Sequence, residues 1–153
     1  MSSPAIVVGN RTGGQGKTVI AQLIQLGYSL GGHPIKAVSA DSEEGTKASK
    51  LGLILGNVEE LGTGASLSDV RSNQHSAIQY WDGLGKHLMD GNCVVDLGAN
   101  ILPLVFQWAK ERQARRVLAN KEIVLVVPIT AQKQSIMDGF AMLQSSLEDQ
   151  SSL

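Results

Sequence analysis

The sequence predicts an α/β fold in which a doubly wound, mostly parallel sheet lies between two layers of helices. Two observations carry this prediction. Short apolar runs rich in β-branched residues recur along the chain, as is typical of buried parallel strands. Segments with helical apolar spacing separate these runs, and a strand–helix–strand unit of this length implies a right-handed crossover between parallel strands. We therefore expect at least four strands in a single domain of 153 residues.

Composition limits the class of protein. The formal net charge is −1 and the isoelectric point is about 6.3, so global electrostatics do not indicate a nucleic-acid binder. The single cysteine, Cys93, excludes an intrachain disulfide and fits a reducing compartment, so we expect a cytoplasmic protein. We see no signal peptide, no apolar run of membrane-spanning length and no amphipathic membrane anchor at either end.

The first strand and the loop after it are the strongest signal. Ala5-Ile6-Val7-Val8 reads as a buried strand, and the loop continues as Thr12-Gly13-Gly14-Gln15-Gly16-Lys17-Thr18 before a helix begins. Backbone N–H groups of such a loop cradle phosphate oxygens, and the helix N-terminus adds positive potential. Lys17 can reach the β- and γ-phosphates, and the Thr18 hydroxyl can ligate Mg²⁺. The segment therefore predicts a site for a nucleoside triphosphate.

The first helix and the second strand complete a crossover unit. The apolar face expected for the helix consists of Val19, Ile20, Leu23, Ile24, Gly27 and Leu30, and its polar face of Gln22, Gln25 and Ser29. Gly31-Gly32 ends the helix, and Pro34 prevents its resumption. Residues 35–40 then read as a strand that ends at Asp41, where ligands bind in open α/β sheets. Asp41 is either a functional carboxylate or a cap of the turn that follows.

The middle of the chain is less informative. Residues 47–73 contain one short apolar segment around Leu51 that favours a short helix. A second helix is expected from about 74 to 90, with Ile78, Trp81, Leu84 and Leu88 on one face. We interpret Trp81 as a core residue rather than as a platform for base stacking.

A second strong signal is the strand that leads to Asp96. The segment Asn92-Cys93-Val94-Val95-Asp96-Leu97-Gly98 delivers a carboxylate at the end of an apolar run, with a glycine two positions later. A Walker B-like site requires a carboxylate directed at Mg²⁺ or its waters, and a backbone that approaches the γ-phosphate. The alternative is an aspartate that caps the next helix.

The last third of the chain predicts a helix after Asn100, a fourth strand and a final helix. The end of the first of these helices carries Lys110, Arg112, Arg115 and Arg116. These cations either complement the helix C-terminus or form a patch for DNA phosphates or a partner protein. The strand spans residues 122–128, and the final helix carries Ile136, Phe140, Leu143 and Leu147.

Taken in order, residues 5 to about 147 resemble the ParA/MinD family of deviant Walker-type P-loop ATPases. The loop TGGQGKT is similar to the family's KGGxGKT, Asp41 matches the second aspartate of its DxDPQG-like switch, and Asp96 matches its Walker B-like position. Ser39 replaces the first aspartate of that switch. The segments TGGQGKTVIAQLI and VVDLGANILPL lean towards the plasmid partition, stability and conjugation branch, which includes TraL- and StbB-like proteins.

The resemblance implies a three-layer α/β/α P-loop NTPase that hydrolyses ATP slowly and forms an ATP-dependent homodimer. It implies that ATP is held by Thr12, Gly13, Gly14, Gln15, Gly16, Lys17, Thr18 and Gly98, and that Mg²⁺ is held by Thr18 and Asp96. Lys17 and Asp41 would be the catalytic residues, with Asp41 orienting the attacking water. A plasmid-encoded partner protein and non-specific DNA contact through Arg112, Arg115 and Arg116 belong to the same expectation.

Two departures from the family pattern bear on activity. Thr12 stands where the family has a signature lysine that crosses to the other subunit's phosphates. Either Arg11 substitutes for that lysine, because a guanidinium matches phosphate geometry, or the contact is missing. The chain is also short for the family, so we expect either a minimal variant or a domain truncated at its carboxyl end.

Two other functions stay open on the sequence alone. One is a scaffold that retains nucleotide with little or no hydrolysis. The other is a small-molecule ATP-dependent ligase or kinase on the same core, for which Lys36 and the loop after Asp41 offer the only visible substrate contacts. The preference for adenine over guanine follows only from the resemblance.

Overall fold

The computed structural model of the chain describes residues 3–40, 49–61, 74–99 and 101–151, with the side chains of 74–80, 102–104, 107 and 145–151 excepted. These residues form five strands and six helices. In chain order they are β1 (Ala5–Val8), α1 (Lys17–Leu30), β2 (Lys36–Ala40), α2 (Lys50–Leu55), β3 (Val58–Glu60), α3 (Gln74–Asp90), β4 (Cys93–Leu97), α4 (Leu102–Glu111), α5 (Ala114–Val117), β5 (Ile123–Val126) and α6 (Lys133–Ser151).

The five strands form one parallel sheet in the order β3-β2-β4-β1-β5. The α/β fold and the parallel sheet expected from the sequence are confirmed. The four predicted strands are present, and the structure adds β3 at the edge beside β2. That strand is only three residues long, and two of them are Glu59 and Glu60, so no apolar pattern marks it.

Side chains on the two faces of the sheet pack against different helices, because successive residues of a strand point to opposite faces. Val7, Val38 and Val95 belong to a core shared with residues of α3, α4 and α6. Ile6, Ala37 and Val94 belong to a second core shared with residues of α1 and α2. The sheet therefore lies between two helical layers.

The connections from two central strands diverge, so the carboxyl ends of these strands form a topological switch point. After β1 the chain crosses to β2, on the far side of β4, whereas after β4 it crosses to β5, on the far side of β1. Helices α1 and α4 leave these neighbouring strands on opposite faces of the sheet. In open α/β sheets, ligands bind at such a switch point, outside the carboxyl ends of the strands.

The predicted core face of α3 is confirmed for the side chains that the structure describes. Trp81, Leu84 and Leu88 of α3 are buried, with Trp81 only 2% exposed. Ile101 and Trp108 are buried on the same side of the sheet. Trp81 is thus a core residue, whereas Ile78 lies among the side chains outside the described set.

The predicted apolar face of α1 is partly wrong. Ile20 and Ile24 pack towards the sheet, together with the buried Ala21. Val19, Leu23 and Leu30 are exposed instead, by 54%, 62% and 79% of their surface. Helical spacing identifies apolar positions but does not show whether they form one wide face or two separate faces. In α1 they form two faces.

The expected apolar face of α6 is also largely uncovered. Ile136, Phe140 and Leu143 are 45%, 71% and 41% exposed. Among the residues of this helix whose side chains are described, the buried ones are Ser135, Gly139 and Met142. Leu147 lies among the side chains outside the described set. Across the helices that the structure describes, none is long and apolar enough to cross a bilayer.

Candidate functional site

The glycine loop lies at the switch point between β1 and β4. It connects the carboxyl end of β1 to the first residue of α1, and two of its glycines have positive φ angles, +70° at Gly14 and +77° at Gly16. Residues with a Cβ rarely adopt this conformation, so these two positions favour glycine. A Cβ built on Gly13, Gly14 or Gly16 would meet no described heavy atom within 4 Å. The loop is therefore tightly curved and has open space beside it.

The Lys17 side chain folds back over this loop. Only 8% of the residue is exposed, and its Nζ donates a hydrogen bond of 2.9 Å to the carbonyl oxygen of Thr12. Gly16 is the N-cap of α1 and has no side chain to cap it, while its carbonyl accepts the Ile20 N–H at 2.9 Å. An ammonium group and the first N–H groups of a helix thus meet at one place, which is an arrangement suited to an anion.

Thr18 and Asp96, which are far apart in sequence, lie in contact. The Thr18 hydroxyl donates a hydrogen bond of 2.7 Å to Oδ2 of Asp96. Asp96 is 2% exposed, and its register places it beside Val8 of β1. The sequence predicted both residues as metal ligands, and the structure brings them together. A hydroxyl and a carboxylate are the hard oxygen donors that Mg²⁺ takes, alongside substrate phosphates and water.

No group of three or more His, Cys, Asp or Glu side chains that could hold a metal ion occurs in the described part of the chain. Thr18 and Asp96 contribute one hydroxyl and one carboxylate, which is the kind of small protein ligand set with which Mg²⁺ binds alongside phosphates and water.

Buried amide side chains hold the loop against the start of the segment that follows β5. Asn10 is fully buried, and its Nδ2 donates to the Pro128 carbonyl at 2.7 Å, while its Oδ1 accepts the Thr12 N–H at 3.2 Å. Gln15 donates from Nε2 to the Gly13 carbonyl at 2.8 Å. The loop shape is therefore fixed by side chains on both sides of the glycines.

Thr130 connects the same loop to α6. Its hydroxyl donates to Oε1 of Gln15 at 2.6 Å, and its backbone N–H donates to the Ser135 hydroxyl at 3.0 Å. In the sequence, Gln15 is recognisable only as part of the loop motif, and Asn10, Thr130 and Ser135 belong to no recognisable motif. Their positions on separate segments gave no local signal.

Thr12 contacts α6 as well. Its hydroxyl donates to Oδ2 of Asp138 at 2.6 Å, and Gln134 donates to Oδ1 of the same carboxylate at 2.9 Å. These two hydrogen bonds, together with the positive charge of Arg11, lower the pKa of Asp138 against the opposing effect of burial. Thr12 is thus held by contacts within its own chain, and Arg11 beside it is exposed.

The other predicted site residues lie in different surroundings. Gly98 is buried just beyond β4, and its carbonyl accepts the Ile101 N–H at 3.2 Å. Asp41 lies outside the described residues. Lys36 opens β2 at its amino end, opposite to the edge of the sheet that carries the glycine loop.

The basic residues near the ends of α4 and α5 are also remote from the loop. Arg112, Arg115 and Arg116 are exposed and precede β5, so they lie towards the amino ends of the strands. Arg112 forms an ion pair of 2.9 Å with Asp82, and Arg116 donates to Gln113 at 3.1 Å. They do not contribute to the glycine-loop site.

No protein-family model matches this chain, and no curated protein matches it significantly. The resemblance to the ParA/MinD family therefore rests on the loop, Asp41, Asp96 and their order in the sequence.

Proposed function

We propose that this chain is a Mg·ATP-binding P-loop protein of the ParA/MinD type, acting as an ATPase switch in plasmid partition, stability or conjugative transfer. The observation that carries the proposal is the contact between Thr18 and Asp96 beside a glycine loop with two positive φ angles. Three features of a phosphate site lie together at the switch point of the sheet. They are the glycine loop, Lys17 at the start of α1, and the pair of hard oxygen donors on Thr18 and Asp96.

The residues of the site would divide the work as follows. The loop N–H groups and the Lys17 ammonium hold the phosphate oxygens, after Nζ exchanges the Thr12 carbonyl for them. Thr18 and Asp96 would hold Mg²⁺. When bound, Mg²⁺ neutralises charge on the phosphates. Asp41 orients the attacking water and Gly98 approaches the γ-phosphate, as the resemblance implies. Positioning and charge neutralisation carry most of the catalysis in phosphoryl transfer.

The same proposal includes a homodimer formed around ATP, a plasmid-encoded partner protein, and contact of DNA with Arg112, Arg115 and Arg116. Cytoplasmic location and adenine preference follow from it too. The basic residues are exposed, which a phosphate contact requires.

Calorimetric titration with Mg·ATP tests the binding site. A charge-assisted hydrogen bond contributes about 1.5–3 kcal/mol, so Lys17→Ala should weaken ATP binding by about tenfold or more. Lys36→Ala is the matched control, because it removes an exposed lysine at the opposite end of the sheet and should leave affinity unchanged. Equal affinities of Lys17→Ala and the native protein would exclude the proposed loop function.

The metal assignment is tested by two substitutions at Thr18. Thr18→Ala removes the hydroxyl and should reduce the dependence of ATP affinity on Mg²⁺, whereas Thr18→Ser retains the hydroxyl and should preserve that dependence. If the alanine variant depends on Mg²⁺ as strongly as the serine variant does, Thr18 is not a metal ligand.

A second candidate function is a nucleotide-binding scaffold with little or no hydrolysis. The observation that favours it is the hydrogen bond from Thr12 to Asp138. A neutral side chain that is bound within its own chain does not reach a second active site, and it carries no positive charge to offer there. Turnover measured for the native chain and for Asp41→Ala separates the two functions. Measurable hydrolysis that falls in the variant supports the ATPase, and its absence in both supports the scaffold.

The third candidate function, a small-molecule ligase or kinase, has less support than the other two. Lys36, one of its two candidate substrate contacts, stands at the amino end of β2, away from the edge that carries the glycine loop. ATP turnover that rises only with a small metabolite would favour it nonetheless.

A further inference from the structure

Thr12, at the start of the glycine loop, forms a hydrogen bond through each of its three polar groups. Its N–H donates to Oδ1 of the buried Asn10 at 3.2 Å, and its hydroxyl donates to Oδ2 of Asp138 at 2.6 Å. Its carbonyl accepts a hydrogen bond of 2.9 Å from Nζ of Lys17. One residue therefore connects the lysine of the loop to a carboxylate of α6.

The carboxylate of Asp138 has a fixed place beside the loop. Gln134, one turn earlier on α6, donates to its other oxygen at 2.9 Å. The first turn of α6 is connected to the loop as well, because the Ser135 hydroxyl accepts the Thr130 N–H at 3.0 Å and the Thr130 hydroxyl donates to Gln15 at 2.6 Å. Helix α6 thus reaches the loop at residues 12 and 15, on both sides of its first two glycines.

The contact with Asp138 favours the arrangement in which Lys17 donates to Thr12. In the proposed function, the Lys17 ammonium leaves the Thr12 carbonyl for phosphate oxygens. A carbonyl that is already held in place competes better for that ammonium than a mobile one, because less conformational freedom is lost when the hydrogen bond forms. Holding Thr12 therefore makes the exchange less favourable and lowers the affinity for phosphate.

The charge of Asp138 acts in the same direction. An ionised carboxylate beside the loop repels the phosphate groups of a polyanionic ligand, and solvent screens this repulsion only in part because the residue is partly buried. Arg11 is exposed next to Thr12, and its positive charge offsets some of the repulsion. The hydrogen bond and the charge of Asp138 therefore both oppose the binding of phosphate.

We propose that Asp138 is a positioning residue that restrains Lys17 through Thr12 and so lowers the affinity of the glycine loop for polyphosphates. This role rests on the proposed function, because it is the regulation of the same site. A displacement of α6 that separates Asp138 from Thr12 raises the affinity. By linkage, a bound polyphosphate weakens the contact between Thr12 and Asp138 to the same extent. Helix α6 is thus the element through which the site is regulated.

Calorimetric titration with Mg·ATP tests this role through the sign of the effect. Asp138→Ala removes the hydrogen bond and the charge together, and it should raise the affinity by about fivefold, the lower end of the range for coupled sites. Asp138→Asn keeps an acceptor for the Thr12 hydroxyl and should give a smaller gain. Glu122→Gln is the matched control, because it removes one negative charge from an exposed residue at the amino end of β5 and should leave the affinity unchanged.

Two substitutions at Thr12 isolate the hydrogen bond. Thr12→Val removes the hydroxyl and should bind Mg·ATP more tightly than the native chain does, whereas Thr12→Ser retains a donor for Asp138 and should bind less tightly than Thr12→Val. The gains from Thr12→Val and Asp138→Ala should not add fully in the double variant, because both substitutions remove the same contact. A merely structural role predicts the opposite sign, since a loop that has lost a contact binds its ligand more weakly.

The reactivity of Lys17 towards acetic anhydride gives a readout that needs no nucleotide. In the native protein this lysine is buried and donates to Thr12, so its acetylation should be slow. Acetylation of Lys17, followed by mass spectrometry, should be several times faster in Asp138→Ala and in Thr12→Val. The exposed Lys36 is the internal control and should react equally in all three proteins. Circular dichroism should show that the variants are folded.

The outcomes separate this role from the proposed function. An unchanged acetylation rate at Lys17, or an Asp138→Ala variant that binds Mg·ATP no more tightly than the native chain, overturns the role of Asp138 and leaves the proposed function intact. A native chain that binds no Mg·ATP contradicts the proposed function, and the role of Asp138 in ATP affinity fails with it.

Discussion

Lys17 and Thr18 each make a hydrogen bond within the protein that a bound phosphate or cation would replace. Lys17 Nζ donates to the Thr12 carbonyl at 2.9 Å, and the Thr18 hydroxyl donates to Asp96 at 2.7 Å. Buried polar groups are costly when they are left unpaired, so these contacts keep the site stable before a ligand arrives. In the proposed function, Lys17 would exchange a neutral carbonyl acceptor for anionic phosphate oxygens, and the gain would come from pairing the two opposite charges.

The contact between Thr12 and Asp138 leads to a prediction at the scale of one residue. The Thr12 hydroxyl is the largest cause that lowers the pKa of Asp138 below its ordinary value of 3.8. We expect carbon-13 NMR of the Asp138 carboxyl to report a pKa below 3.8 in the native protein and a higher one in Thr12→Val. Thr130→Val is the control, because it removes a different hydroxyl from the same region.

The sign of the pH effect follows from that direction. A carboxyl whose folded pKa lies below its unfolded pKa contributes stability above the unfolded value and loses it as pH falls through the folded value. The contribution of Asp138 should therefore disappear only below about pH 4. If the Asp138 pKa is the same in Thr12→Val and in the native protein, the hydrogen bond does not form in solution.

At the scale of elements, α3 and α4 meet closely at Gly85. A Cβ built on this glycine would lie 2.9 Å from Cζ2 of Trp108. The indole cannot easily move away, because its Nε1 donates to Asp82 at 3.2 Å and the residue is only 8% exposed. A Cβ built on Gly83, two residues earlier in the same helix, would lie 3.4 Å from Cδ2 of Leu61, which is the flexible end of a side chain.

These two glycines should respond in opposite ways to alanine. Gly83→Ala should stabilise the fold by up to about 1 kcal/mol, because alanine favours the helix. Gly85→Ala should destabilise it by up to about 2 kcal/mol net, because overpacking costs about 1–3 kcal/mol and offsets or exceeds that gain. Urea unfolding of both variants gives the comparison, and near-ultraviolet circular dichroism reports the indole environment. A Gly85→Ala variant as stable as Gly83→Ala would show that the two helices separate freely.

How far the sequence predicted the elements depends on the range of the interaction involved. Strands β1, β2, β4 and β5 were predictable because each is a local apolar run, and the pair of Thr18 and Asp96 was predictable because each residue ends a recognisable motif. Strand β3 was not predictable, since Glu59 and Glu60 give it no strand pattern. The contact of Thr12 with Asp138 spans 126 residues, and nothing near either residue signals it. Val19, Leu23 and Leu30 of α1 were placed on one apolar face with Ile20 and Ile24 because helical spacing reports apolar positions and not what covers them.

At the scale of the whole molecule, the glycine loop joins segments from most of the chain. It is continuous with β1 and α1, contacts β4 through Asp96, and contacts the segment after β5 through Asn10 and Gln15. A ligand that binds the loop should therefore stabilise the global fold and not only a local segment. This follows from mass action, because a ligand that binds only the folded state raises the free energy of unfolding.

Thermal unfolding measures this coupling. With Mg·ATP at about one hundred times its dissociation constant, the free energy of unfolding should rise by about 2.7 kcal/mol. For a domain of this size that corresponds to an increase in Tm of roughly 5–10 °C. Lys17→Ala should show a much smaller increase at the same ligand concentration. AMP is the control ligand, because it lacks the β- and γ-phosphates that Lys17 is proposed to contact. An equal increase with AMP and with ATP would place the ligand elsewhere on the molecule, since the loop would then make no distinction between one phosphate and three.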